Sequence, residues 1–378
     1  MIQYQSPAIS MRDSSTVLHI VEKESPANRD VFYLKGLNGL RAIAAIAVVV
    51  THILFATTGK LLFLGGFSVT IFFTLSGFLI TLLLMRESKG LNGRVEITQF
   101  YKRRILRIWP LYFLYMLTAI PVSQLIGKSV LLSQIPYYVF FVPNIPFLAG
   151  GYIELMNHYW SLGVEEQFYI FWPWLIKLFC KYVPLALSCF IGCFLALKTF
   201  LHHYYGFNSL PYMFTYYCRF DCMAIGGLGG YLYFKNFKGL AIIKHFFFQL
   251  LAWLVMVLVC IDRFHLARMY DHEILSCITI ILIVNQAGNP KNLISLENGV
   301  LNFLGKISYG IYVIHPMVIA VTLYVLKAMA APFITAITWP VVFAITIFLS
   351  YLSHRFFESY FLKLKYKPLF KAPVALNR

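Results

Sequence analysis

One arginine and one histidine interrupt the apolar stretch Asn38 to His52, NGLRAIAAIAVVVTH, eleven residues apart. On a helix eleven residues make about three turns, so Arg41 and His52 share a face, roughly 16 Å apart along the axis. A guanidinium is a fixed cation that grips phosphate or carboxylate, and an imidazole can take and return a proton near neutral pH. Ionisable groups at such depth are costly in lipid and point to a functional face. An arginine snorkelling to the interface and a histidine bonded inside a bundle would account for the same two residues.

Further on, RESKGLNGRVEITQFYKRRILRIWP holds seven basic residues from Arg86 to Arg107, five arginines and two lysines. Arg104 and Arg107 share a helix face and Arg103 is adjacent. A cluster that only fixes membrane orientation needs positive charge alone, whereas bidentate guanidinium groups suit a phosphate clamp. NHYWSLGVEEQFYIFWPW puts Glu165 and Glu166 at the start of an apolar span, where one carboxylate could orient a histidine or stabilise its protonated form. The two point about 100° apart, so one of them is expected to face the site. Glu165, Glu166, Asp221 and Glu358 are the acids assigned to spans or their edges. CRFDCMAIGGLGGYLYF brings Arg219 and Asp221, two residues apart and thus in need of separate partners, above a glycine cluster suited to close packing. LGKISYGIYVIHP sets Ser308, Tyr309 and His315 before a kinking Pro316, with His315 alone readable as a core histidine. Glu358 beside Arg355 reads as a surface pair. The seven cysteines show no CxxC spacing and no matching histidine, so no metal is expected.

The elements that carry these residues are apolar runs of membrane-spanning length. The chain has 378 residues, 60% of them hydrophobic and 12% charged, which predicts an all-α, polytopic transmembrane bundle. A closed barrel would need short segments of alternating polarity instead. Ten spans are predicted near residues 39–56, 66–86, 104–126, 159–180, 183–201, 213–234, 246–262, 271–287, 302–326 and 333–358. With the N-terminus inside, 25 of the 32 lysines and arginines fall on the inner side, which places both termini in the cytoplasm. The same asymmetry argues against an eleventh span, so residues 127–158 are expected to dip into the protein from the outer face and return. The predicted divisions are a cytoplasmic tail (1–35), one transmembrane domain (36–362) and a basic cytoplasmic tail (363–378). The net charge of +17 therefore reflects membrane orientation, and no nucleic-acid partner is expected.

The order of these motifs resembles membrane acyltransferase family 3, the integral-membrane O-acyltransferases that include O-antigen and other surface-polysaccharide O-acetylases. The resemblance covers roughly residues 34 to 360 and rests on six strings in order: LNGLRAIAAIAVVVTH, SVTIFFTLSGFLIT, FYKRRILRIWPLY, WSLGVEEQFY, and the later RFDCMAIGG and LGKISYGIYVIH. Asn38, Ala42, Thr70 and Gly163 stand where the family usually has Asp, Gly, Asp and Ser. No soluble hydrolase-like domain of the kind some members carry is expected after the tenth span.

The resemblance implies transfer of an acyl group, acetyl above all, from cytosolic acetyl-CoA to a hydroxyl of a cell-surface or lipid-linked glycan in a bacterial inner membrane. It implies His52 as general base or transient acyl carrier, with Glu165 or Glu166 as its orienter and Arg41 on the same face. Arg103, Arg104 and Arg107 would bind the donor phosphates. Trp160, Ser161, Arg219, Asp221 and His315 are the expected substrate-binding residues. A proton-coupled transporter or flippase is the rival reading, since such carriers also bury ionisable groups, although no inverted repeat is visible. Neither the acceptor nor the oligomeric state is legible.

Overall fold

The computed structural model describes residues 33–90 and 95–364, and among these the secondary structure is helical with no strand. The first apolar run forms α1 (Leu37–Thr58), closed at Gly59, whose N–H bonds the Phe55 carbonyl from a left-handed backbone of φ 71°. Only glycine adopts such a cap without a Cβ penalty. α2 (Leu64–Gly90) and α3 (Ile97–Leu125) follow, and α3 carries the arginine cluster near its start. The next segment holds the short helices α4 (Ile135–Val139) and α5 (Asn144–Leu148). Then come α6 (Tyr159–Leu178), α7 (Val183–Tyr205), α8 (Leu210–Cys218), α9 (Phe220–Phe234), α10 (Leu240–Ile243), α11 (Phe246–Cys260) and α12 (Asp271–Gly288). α13 (Gly299–Lys306), α14 (Ser308–Ala328) and α15 (Ile334–Leu352) lead through a π-helical turn, Ser353–Glu358, into α16 (Ser359–Leu364).

Every predicted span carries helix. Six helical stretches are long and apolar enough to cross a membrane: α1, α2, α3, α7, α14 and the continuous Ile334–Leu364. The others are shorter or less apolar. Two predicted spans are broken, one at Arg219 between α8 and α9, the other at Ile307 between α13 and α14. Arg219 sits at φ 46°, a left-handed conformation unusual for a side chain of its size. Its guanidinium compensates by donating from Nη1 to the Gly66 carbonyl (2.8 Å) and to Thr70 Oγ1 (3.2 Å) on α2. The chain is thus an all-α, multi-pass membrane protein.

α2 is the central post and packs most extensively against α9. The backbones nearly touch: a Cβ at Gly77 would lie 1.9 Å from the Met223 carbonyl oxygen, and one at Gly226 2.2 Å from that of Thr74. These glycines serve close helix packing, as their setting in apolar helices predicts.

The stretch between α3 and α6 folds onto the bundle as expected for a re-entrant segment. Tyr112 donates to the Tyr138 carbonyl (2.7 Å), Tyr115 to that of Leu155 (2.7 Å), and Gln167 to that of Phe141 (2.9 Å). Side chains from α3 and α6 thereby hold backbone carbonyls of this run of short helices and turns. The expected N-terminal tail lies outside the described residues up to position 32, as do Arg94 and the basic tail from position 365.

Candidate active site

The chemistry-bearing residues gather along the shared face of α1, in two groups. At its C-terminal end His52 meets His315 of α14: Nδ1 of His52 lies 2.6 Å from Nε2 of His315, with the rings stacked at 4.9 Å. His315 Nδ1 is 3.0 Å from the Ile311 carbonyl, which can only accept. His315 therefore carries its proton on Nδ1 and offers a lone pair at Nε2. It follows that His52 donates from Nδ1 and keeps its own lone pair on Nε2. A backbone carbonyl thus fixes the tautomer of His52 through an intermediate imidazole.

His52 lines a cavity of about 500 Å3 formed by the ends of α1, α3 and α14 and by the segment after Tyr152. A third imidazole stands close. His158 lies 5.5 Å from the His315 ring and donates from Nε2 to the Val313 carbonyl (3.1 Å), leaving Nδ1 buried without a partner among the described residues.

Near the start of α1, Arg41 shares its electrostatic surroundings with Arg104, Arg107, Glu165 and Tyr169. Glu165 accepts hydrogen bonds from Ser76 and Tyr169 through Oε1. Arg104 lies over the rings of Phe100 and Tyr169, 5.5 and 5.1 Å from their centroids. Among the described residues the guanidinium groups of Arg41 and Arg107 make no hydrogen bond or ion pair, so two cations lack a direct partner although Glu165, and for Arg107 also Glu358, lie within electrostatic reach. That imbalance fits an anionic ligand such as the phosphates of a nucleotide-like donor.

A small cavity of about 60 Å3 lies beside this group, lined by Arg41, Ser76, Glu165, Ser161 and Tyr312 among others. At its edge Ser161 Oγ and Tyr312 Oη are 2.5 Å apart, and both reach the His158 carbonyl, at 3.1 and 3.2 Å. No described residue lines both this cavity and the one that holds His52.

Several expected placements need correction. Neither glutamate orients His52: Glu165 belongs to the arginine group, and Glu166 points to α3, where Trp109 Nε1 donates to it at 3.2 Å. The roughly 100° turn between adjacent helical residues separates them, and the orienting role falls to His315. Arg103 leaves the clamp for Glu87 of α2, at 2.7 Å. Trp160 stacks on Phe147 at 5.4 Å and packs beside the Arg219 guanidinium, so both brace the break after α8.

Asp221 is buried apart from both groups, beside Cys222 and Glu273, with ligand-capable atoms of the three within 4.8 Å of one another. Glu273 is paired with the buried Lys198 of α7. Glu273 escaped the sequence reading, although it lies within the predicted span 271–287 and a carboxylate there is the usual signal of a buried partner. Glu358 was read as a surface partner of Arg355 but is buried. The π-helical turn aims it inward, where it accepts from Ser353 at 2.9 Å and senses Arg107.

Comparison with known proteins places this geometry in a family. The sequence matches the family described as "Acyltransferase domain" over residues 34–355. It is 29% identical over 363 residues to "Putative O-acetyltransferase SACOL0978" of Staphylococcus aureus (strain COL), covering 88% of this chain and 58% of that protein. It is 28% identical over 358 residues to "O-acetyltransferase OatA" of Staphylococcus aureus (strain NCTC 8325 / PS 47), covering 86% of this chain and 57% of the relative. The chain thus spans little more than half the length of these relatives. No solved structure matches it. The match over residues 34–355 takes in both ends of the α1 face, and the chain belongs to the acyltransferase family.

Proposed function

We propose that this protein is an O-acyltransferase of a bacterial inner membrane, with both termini cytoplasmic, that moves acetyl from cytosolic acetyl-CoA to a hydroxyl of a cell-surface or lipid-linked glycan. The observation that carries the reading is the tautomer relay Ile311 carbonyl, His315, His52, which leaves His52 Nε2 as a free base on a cavity wall. The unpaired guanidinium groups of Arg41 and Arg107, with Arg104, support a donor whose phosphates enter from the opposite end. The printed names of the relatives support acetyl as the transferred group and oxygen as its destination.

In this mechanism His52 Nε2 takes the proton of the sugar hydroxyl as its oxygen attacks the thioester carbonyl. The C–S bond of the tetrahedral intermediate breaks, and the departing thiolate takes the proton back from the imidazolium. His315 keeps the other ring proton of His52 on Nδ1 throughout. Arg41, Arg104 and Arg107 bind and orient the phosphates and leave the proton transfer to the histidines.

Transfer of label from acetyl-CoA in membranes that contain the host glycan tests this. Label should enter glycan with the wild-type protein and not with His52→Ala, while the folded variant still binds donor. Label that accumulates on wild-type protein itself would replace the general-base role by an acyl-histidine. Equal labelling of glycan by the two proteins would refute the assignment.

A further inference from the structure

The cavity beside His52 carries groups that the transfer chemistry leaves unused. Asn157 lines it, and its Oδ1 is buried with no hydrogen-bond partner among the described residues. Lys327, exposed in the last turn of α14, also lines it, and its ammonium makes no ion pair or hydrogen bond among the described residues. Lys128, on the same lining, pairs at 2.8 Å with Glu154, a carboxylate that lines the cavity too. Tyr152 and Tyr324 complete the polar lining with exposed rings. An unpaired cation, an unfilled acceptor and two rings thus stand around one base.

The position of the lysines is the informative part. In the topology read from the sequence only seven of the 32 basic residues fall on the outward side. Lys198 and Arg219 are buried, and two of the remaining five line this single cavity. Orientation in the membrane is set by basic residues on the other side and supplies no reason for cations here. A sugar does supply one for the rest of the lining. Its hydroxyls are donors for a buried carbonyl oxygen that is otherwise costly, and its apolar faces rest on aromatic rings.

We infer that the acceptor is a sugar bearing an anionic substituent, a carboxylate or a phosphate, whose charge pairs with Lys327 while a hydroxyl beside the reacting one donates to Asn157 Oδ1. This rests on the acyl-transfer reading above and narrows its acceptor class.

The test uses purified full-length protein in zwitterionic lipid, acetyl-CoA, and matched acceptors: a uronic-acid oligosaccharide, its neutral amide, and a phosphorylated counterpart. Wild type should favour the anionic acceptors over the neutral one by about tenfold in kcat/KM, the effect lying in KM. Lys327→Met should bring that ratio close to one and Lys327→Glu should reverse it. Asn157→Ala should lower kcat/KM for all acceptors alike. Equal use of charged and neutral acceptors by wild type, unaltered by Lys327→Glu, would overturn the inference and leave acyl transfer standing. A Lys327 effect that follows added anionic lipid rather than acceptor charge would also overturn it, assigning the lysine to headgroups. Absence of transfer to every acceptor by folded, donor-binding protein would remove the acyl-transfer reading itself and this inference with it.

Discussion

Replacing His315 probes the relay directly, because His315 touches the base and carries none of the proposed chemistry. In the native arrangement the bond from His52 Nδ1 to His315 Nε2, 2.6 Å long, holds the proton on Nδ1. His315→Leu removes the acceptor and leaves the Nδ1–H of His52 unsatisfied in a largely buried setting, a cost of about 1–3 kcal/mol. His52 then favours the tautomer with its proton on Nε2, which is no base towards the cavity. At about 1.4 kcal/mol per tenfold, the base-competent fraction and with it kcat should fall by roughly 5- to 150-fold. The ceiling is set by His52→Ala, which removes a general base worth about 10²- to 10⁴-fold. His315→Gln keeps a carbonyl acceptor at similar length and should restore much of the loss. The assay is single-turnover acetyl transfer at saturating donor, with donor affinity measured in parallel. Full activity in His315→Leu would refute the relay. So would a loss that Gln fails to relieve while donor binding stays normal.

Three further outcomes follow from the charged residues. Arg107→Glu, which replaces a cation lacking a direct partner by a carboxylate, should weaken donor binding by about 10²-fold or more, read by equilibrium binding of labelled acetyl-CoA. Arg103→Ala, whose partner is Glu87, should change it little. Lys198→Met leaves Glu273 and Asp221 without their cation among fully buried neighbours and should destabilise the protein by about 3–5 kcal/mol. Thermal unfolding in detergent checks this, and an unchanged melting temperature would show that the pair contributes nothing.

The sequence carried the long-range pattern of the fold better than its joints. Ten apolar runs with one-sided charge predicted where helices lie, because burial in lipid is written residue by residue. The break at Arg219 was invisible since neither glycine nor proline marks it. What offsets the break is the reach of one guanidinium to the Gly66 carbonyl on another helix. Arg41, His52, Arg104 and Arg107 were legible because cations and imidazoles in apolar helices stand out. Their partners were not, because pairing depends on how each helix is rotated about its axis. The rotation of α6 sends Glu165 to the arginines and Glu166 to Trp109, and a one-residue π insertion sends Glu358 inward. Tyr312 and His158 drew no attention in the sequence; the structure puts Tyr312 on the wall of the small cavity and the His158 carbonyl within its reach.

The bonds that join Ser161, Tyr312 and the His158 carbonyl have a consequence beyond group transfer. A seam of arginines, hydroxyls and imidazoles running from one face of a bilayer to the other has the ingredients of a proton wire. Each elementary charge that crosses a membrane at 100 mV dissipates about 2.3 kcal/mol of stored potential. No described residue lines both cavities, and the seam is interrupted where Ser161 and Tyr312 end on the His158 carbonyl, an acceptor that passes no proton on. An interruption of that kind limits proton leak along this face of α1.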